Sequence, residues 1–151
     1  MLVIYHSYGG TGALVAAALH LQRVSGAAPR MTPALLPSPV GSGGGPGLHL
    51  QGRDADGHAV FALARNVPPG VIDRAFLGVA SVFKLPATAF LLVDAGQPGE
   101  KSAFWLAWGL VRLGRPGWAR RLLARCIHWT AAAKTVAHTR QRLVALAGVQ
   151  Q

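Results

Sequence analysis

The first 21 residues restrict the fold of this chain more than any other stretch. Met1-Leu-Val-Ile-Tyr-His6 is apolar and rich in β-formers. Ser7-Tyr-Gly-Gly-Thr-Gly12 follows as a glycine-rich turn, and Ala13-Leu-Val-Ala-Ala-Ala-Leu-His-Leu21 is a run of strong helix formers. Strand, tight turn and helix in that order begin an α/β unit. Such a turn leaves backbone N–H groups unpaired at the positive end of a helix dipole. An anion, most often a phosphate, is the usual occupant of that position.

The turn predicts a ligand site at Ser7, Tyr8, Gly9, Gly10, Thr11 and Gly12. Its glycines let a backbone approach a ligand closely and adopt positive φ. Neither nucleotide fingerprint is present. The P-loop needs a lysine after its last glycine, where this chain has Ala13, and the G-x-G-x-x-G spacing is absent. The competing reading is a tight strand-to-helix turn with no ligand.

Further along, Leu48–Arg53 and His58–Leu63 flank Asp54-Ala-Asp-Gly57, with apolar residues at alternate positions. That pattern predicts a β-hairpin. The Asp-x-Asp-Gly string lacks the remaining oxygen ligands and closing Glu of a calcium loop, so its carboxylates read as turn formers. Asn66 is the expected cap of a helix that starts near Pro68-Pro69 and stops at Leu85-Pro86. Ala89–Val93 is a continuous apolar run, as in a strand buried on both faces, and is expected beside the first strand in the middle of the sheet. Helices are expected over Ser102–Leu113 and, in one or two pieces, over Trp118–Ala147. Residues 27–47 hold five prolines and five glycines and read as a flexible loop, either a lid over the turn or a variable insertion.

With 151 residues, 51% of them hydrophobic and 13% charged, the chain has the size and composition of one folded domain spanning 1–151. The expected fold is α/β: a two- or three-layer, Rossmann-like sandwich with a mainly parallel central sheet, a β-hairpin edge and a helical C-terminal third. Ligands of open α/β sheets bind beyond the carboxyl ends of the strands, at the switch point. This rule brings Asp94, at the end of the apolar strand, opposite the Ser7–Gly12 turn. Asp94 could hold a cation or act as a base there, or cap its own turn. Arg115, in Leu113-Gly-Arg-Pro116, could reach a phosphate from a turn, or remain a surface arginine.

Other chemistry finds less support. His6 could serve as a base or donor, but a half-buried histidine bonded to backbone is the plainer reading. Ser7 lacks the G-x-S-x-G elbow of a serine nucleophile. His20, His49, His58, His128 and His138 show no metal-ligand spacing, so no role is assigned to them and no metal is expected. One cysteine, Cys126, excludes an internal disulfide and a cysteine zinc cluster. The composition names no cofactor. No apolar stretch reaches the roughly 20 residues of a membrane span, and the opening run is too short for a secretory core, so a cytoplasmic protein is expected.

Charge supplies a second functional reading. Net charge is +10, and from Lys101 onward there are nine basic residues and no acidic one. A field of this kind attracts nucleic acid, an anionic membrane surface or phosphorylated ligands, although a merely solvated basic face has the same composition.

Tyr5-His-Ser-Tyr-Gly-Gly-Thr11 and Val15–Leu21 resemble the start of an uncharacterised bacterial family, domain of unknown function 3189. The family turn reads Y-x-C-Y-G-G-x-H-S-S ahead of an Ala-rich helix. Shorter similarities run through Asp54–Gly57, Val71–Ala75, Phe90–Val93, Leu113–Pro116 and Thr139-Arg140. The resemblance implies a bacterial source and no established activity. This chain has Ser7 in place of the family's Cys, Gly12 in place of its His, and Ala13-Leu14 in place of two serines. Chemistry carried by that Cys and His would be lost here, leaving a degenerate enzyme kept as a structural partner. Anion binding by the backbone of Gly9 and Gly10 would survive.

Overall fold

Alternation along the first strand organises the whole molecule. In the computed structural model, which describes residues 1–25 and 47–148, β1 (Leu2–Tyr8) is buried from Val3 through Ser7. Val3, Tyr5 and Ser7 point to one face of the sheet, and Ile4 and His6 to the other. A strand buried on both faces must be central, and β1 is. It pairs in parallel with β3 (Ala59–Arg65) on one side and with β4 (Phe90–Asp94) on the other. β2 (Leu48–Arg53) joins the far side of β3 in the antiparallel sense, with a register shift between Leu50 and Gly52.

The result is an α/β protein with a four-stranded open mixed sheet in the order β2-β3-β1-β4. Five helices are present among the described residues: α1 (Thr11–Ser25), α2 (Pro69–Val82), α3 (Glu100–Arg112), α4 (Pro116–Arg125) and α5 (Trp129–Gly148). The expected hairpin is β2-β3. The apolar run at 90–94 does lie beside β1, but as an edge strand and not in the middle of the sheet. Nor is it buried on both faces: Leu91 is its one buried residue, because an edge strand with no neighbour beyond it among the described residues is covered less than a central one. Asn66 does not cap α2: the cap residue is Pro68, with no side-chain bond, and Pro69 opens the helix. Proline at the first helical position needs no amide partner there, so no cap is required for that group. The loop predicted at 27–47 lies outside the described residues, apart from Gly47.

The main core lies on the Val3–Tyr5 face. Val60 and Ala62 from β3, Leu91 from β4, Ala13, Ala16 and Ala17 from α1, and Val136 and Leu143 from α5 close around it. Alanines let α1 pack tightly against the sheet, with α5 lying against α1. On the Ile4–His6 face, α2 sits over β4, with Phe76 edge-on to Phe90 at 5.5 Å between ring centroids. A second, separate core joins α3 to α4 through Ala103, Ala107, Ala119 and Leu123. No helix among the described residues is long and apolar enough to cross a membrane.

Candidate functional site

The Ser7–Gly12 turn and the Asp94–Gly99 turn meet at the carboxyl edge of the sheet, as the switch-point rule requires. They meet in contact. Ala95 donates its amide to the His6 carbonyl at 2.8 Å. A Cβ placed on Gly12 would lie 2.3 Å from the Ala95 carbonyl oxygen. Gly12 is therefore the glycine of a close backbone approach, and the wall it approaches is the protein itself.

The amides of the turn's three glycines are occupied. Gly9 donates to the Arg65 carbonyl and Gly10 to the Ser7 carbonyl, at 3.1 and 3.3 Å. Gly10 has φ +84° and sits against Ala64, so a side chain there would be both strained and crowded. At the first turn of α1, Gly12 donates to Glu100 Oε1 at 2.7 Å, and Ala13 donates to Ser7 Oγ at 2.9 Å. The Ser7 hydroxyl then donates to the same Glu100 oxygen at 2.8 Å. Gln97 donates its amide to Glu100 Oε2 at 3.2 Å. Together Ser7 and Glu100 do what an N-cap side chain does for the second and third amides of a helix. The turn is an anion site in the chemical sense, and its anion is the carboxylate of Glu100.

Glu100 is 8% exposed. Desolvation raises its pKa above the ordinary carboxylate value, although the bonds from Gly12, Ser7 and Gln97 pull the other way. Sequence reasoning missed it because it opens α3, 88 residues from Gly12. The available signal was that it is the one glutamate in the chain and follows directly on the second glycine-rich turn.

Beside this plug, on the opposite face of β1, four polar side chains converge. Arg65, at the end of β3, donates from Nε to His6 Nδ1 at 3.2 Å and from an Nη to both Asp94 oxygens at 3.0 and 3.2 Å. Its other Nη donates to the Val67 carbonyl at 2.9 Å. Asp73 of α2 lies 3.8 Å from His6 Nε2. Burial holds the His6 pKa below the ordinary imidazole value, with Asp94 acting in the opposite sense. The bond from Arg65 requires Nδ1 to be an acceptor, so the ring proton sits on Nε2, facing Asp73. Asp94 also accepts from the Gly96 amide at 2.9 Å, the geometry of a capped turn.

The sequence-based site residues thus divide. Ser7, Gly9, Gly10, Thr11 and Gly12 are gathered at the start of α1, with Asp94 around the corner of β1. Tyr8 lies edge-on to Phe104 of α3, 5.7 Å between centroids, and under Lys101. Arg115 does not join them. It caps α4 in the turn after α3, with an exposed side chain that makes no hydrogen bond to Ser7–Gly12 or to Asp94 among the described residues.

A second polar cluster was not anticipated. Tyr5 and His20 are both buried, with Tyr5 Oη 2.7 Å from His20 Nδ1. His20 Nε2 faces Asp54 Oδ2 at 3.3 Å, and His58 Nδ1 faces the same oxygen at 3.0 Å. Asp54 Oδ1 accepts from the amides of Asp56 and His58 at 3.0 and 2.8 Å. Asp54, Asp56 and His58 have ligand atoms within 4.8 Å of one another, but both Asp54 oxygens are already engaged by the turn and the two histidines. His20 could have been found from spacing. It continues the buried series Ala13, Ala16 and Ala17 at helical intervals, which places an imidazole on the inward face of α1.

The remaining large feature is the outer surface of α3 and α4. Leu113 and Trp118, on either side of the turn joining the two helices, are 76% and 60% exposed, and Trp105 and Leu106 are exposed along α3. Arg112, Arg115, Arg121 and Arg125 of the same hairpin are also exposed, with Arg112 stacked on Trp108 at 4.1 Å. Among the described residues no carboxylate pairs with any basic residue from Lys101 onward. No known family model, curated protein or solved structure matches this chain.

Proposed function

We propose that this protein docks on an anionic phospholipid surface through the α3–α4 hairpin. We read its sheet, with helices on both faces, as a Rossmann-like scaffold that carries the hairpin. The observation that supports this is the presence of exposed Leu113 and Trp118 on a hairpin whose exposed arginines, Arg112, Arg115, Arg121 and Arg125, are paired with no carboxylate among the described residues. Arginines favour lipid phosphates, tryptophan favours the headgroup layer, and a leucine can enter the acyl boundary. Nucleic acid would use the charge and the tryptophans, but offers nothing to exposed leucines. Co-sedimentation with vesicles tests the reading. Binding is expected to vesicles containing phosphatidylserine and not to phosphatidylcholine alone, to fade in high salt, and to weaken about fivefold for Arg115→Gln, at about 1 kcal/mol per basic residue. Leu113→Asp should abolish it. Equal binding to both vesicle types, or retention on DNA without binding to either, overturns it.

A second reading, a phosphate-bearing ligand at Ser7–Gly12, is favoured by the fact that these amides hold a carboxylate. It requires Glu100 to leave. Inorganic phosphate should then raise the melting temperature of Glu100→Ala and not of the unaltered chain. No phosphate effect on either removes this reading.

A further inference from the structure

The amino-terminal edge of the sheet, opposite the plugged turn, carries a cavity of about 280 Å³ under the C-terminal half of α5. Met1, Pro86, Leu143 and Leu146 contribute apolar side chains, but polar atoms make up the larger part of the lining, which includes Thr88 and His58, and the cavity opens to solvent. This volume is near the lower end, about 300 Å³, of small-molecule sites.

His58 is held from behind. Its backbone amide and its Nδ1 both bond to Asp54, at 2.8 and 3.0 Å. Asp54 is itself fixed, with a side chain 5% exposed and His20 on its other flank. The hydrogens order themselves along this chain. Burial pushes the Tyr5 phenol up to about 12, so it keeps its proton and donates to His20 Nδ1. Burial lowers the His20 pKa, leaving a neutral ring that donates from Nε2 to Asp54. Asp54 is desolvated, yet its bonds from His58 and His20 outweigh this and hold it below the usual carboxylate value, so it remains an acceptor. His58 therefore donates from Nδ1. In the unprotonated ring the free lone pair lies on Nε2, which has no hydrogen-bond partner among the described residues.

We infer that this cavity is a binding site for a small molecule with one O–H or N–H donor, such as a phenol or an azole, which His58 Nε2 accepts beside the Thr88 hydroxyl. An oriented imidazole backed by a carboxylate is also the arrangement by which enzymes prepare a proton acceptor. This site shares no residue with the α3–α4 docking surface.

The test is a nitrogen- and amide-detected NMR titration of the whole chain with 4-methylphenol, against toluene as the analogue without the donor. Saturable shifts are expected for the His58 ring and for the Thr88 and Leu143 amides. Toluene should bind about tenfold more weakly, the worth of one hydrogen bond. Leu146→Trp, which fills the cavity and leaves the Asp54–His58 pair intact, should abolish binding of both. Equal affinity for the two probes would show that His58 reads no donor there and would overturn the assignment. Shifts absent at His58 and Thr88 would remove the site altogether, and both comparisons are made on the unaltered chain.

Discussion

Gly12 and Glu100 show how two residues far apart in sequence close one edge of a sheet. A methyl group on Gly12 would lie 2.3 Å from the Ala95 carbonyl and 3.1 Å from Glu100 Oε1. The first contact is with backbone, which cannot rotate away. Gly12→Ala should therefore cost about 1–3 kcal/mol of stability, the usual scale of overpacking, read from urea midpoints. An unchanged midpoint would mean that the two turns separate easily. The glycines of this turn were visible in the sequence; what they make room for was not. Gly-rich composition reports that backbone comes close to something, and only the fold reveals that the something is the β4–α3 turn. His20 is the converse case. Its spacing with Ala13, Ala16 and Ala17 marked it as inward, while its partners Tyr5 and Asp54 come from β1 and the β2-β3 turn. Metal-ligand spacing was the wrong template for it, because a hydrogen-bonded relay obeys no local period.

At the scale of elements, those with strong local signals were legible: the Asp54–Gly57 hairpin, the Ala-rich α1, and the Gly114–Gly117 break between α3 and α4. The edge position of β4 was not, since strand order depends on pairing across the chain. The α3–α4 hairpin was readable as two helices and not as a unit with its own core. That core, Ala103, Ala107, Ala119 and Leu123, is distinct from the cluster around β1. A small, alanine-rich core implies lower local stability. Native-state hydrogen exchange should find α3–α4 amides opening at a lower free energy than those of β1 and α1. Leu123→Ala, removing a buried leucine, should lower the hairpin's opening energy by about 2–5 kcal/mol while β1 keeps the greater protection. Uniform protection across both groups would show one cooperative core.

The whole molecule combines a +10 charge with five acidic residues, all at or before Glu100. Its pH response follows from the buried groups. His6 and His20 are held below the ordinary value of 6.5, mainly by burial. The unfolded chain takes up those protons first, so their contribution is intact above 6.5 and is lost as pH falls through 6.5 toward the folded values. Glu100 has the opposite sign: its raised pKa favours the folded state below the ordinary 4.5, and that contribution disappears as pH rises through the folded value. Between about pH 7.5 and about pH 5.5 the histidines should dominate, and denaturant midpoints should fall on acidification. His6→Asn, which keeps an acceptor for Arg65 Nε, should reduce that fall; a flat profile in the unaltered chain would contradict the burial of both imidazoles.

Glu100 also sets the terms on which any dissolved anion competes for the first turn of α1. A carboxylate tethered by the protein itself acts at an effective concentration in the millimolar range or above. A free ion at equal intrinsic affinity and lower abundance loses that contest, so the amides stay shielded from the ordinary ionic background, and only a multidentate rival gains entry.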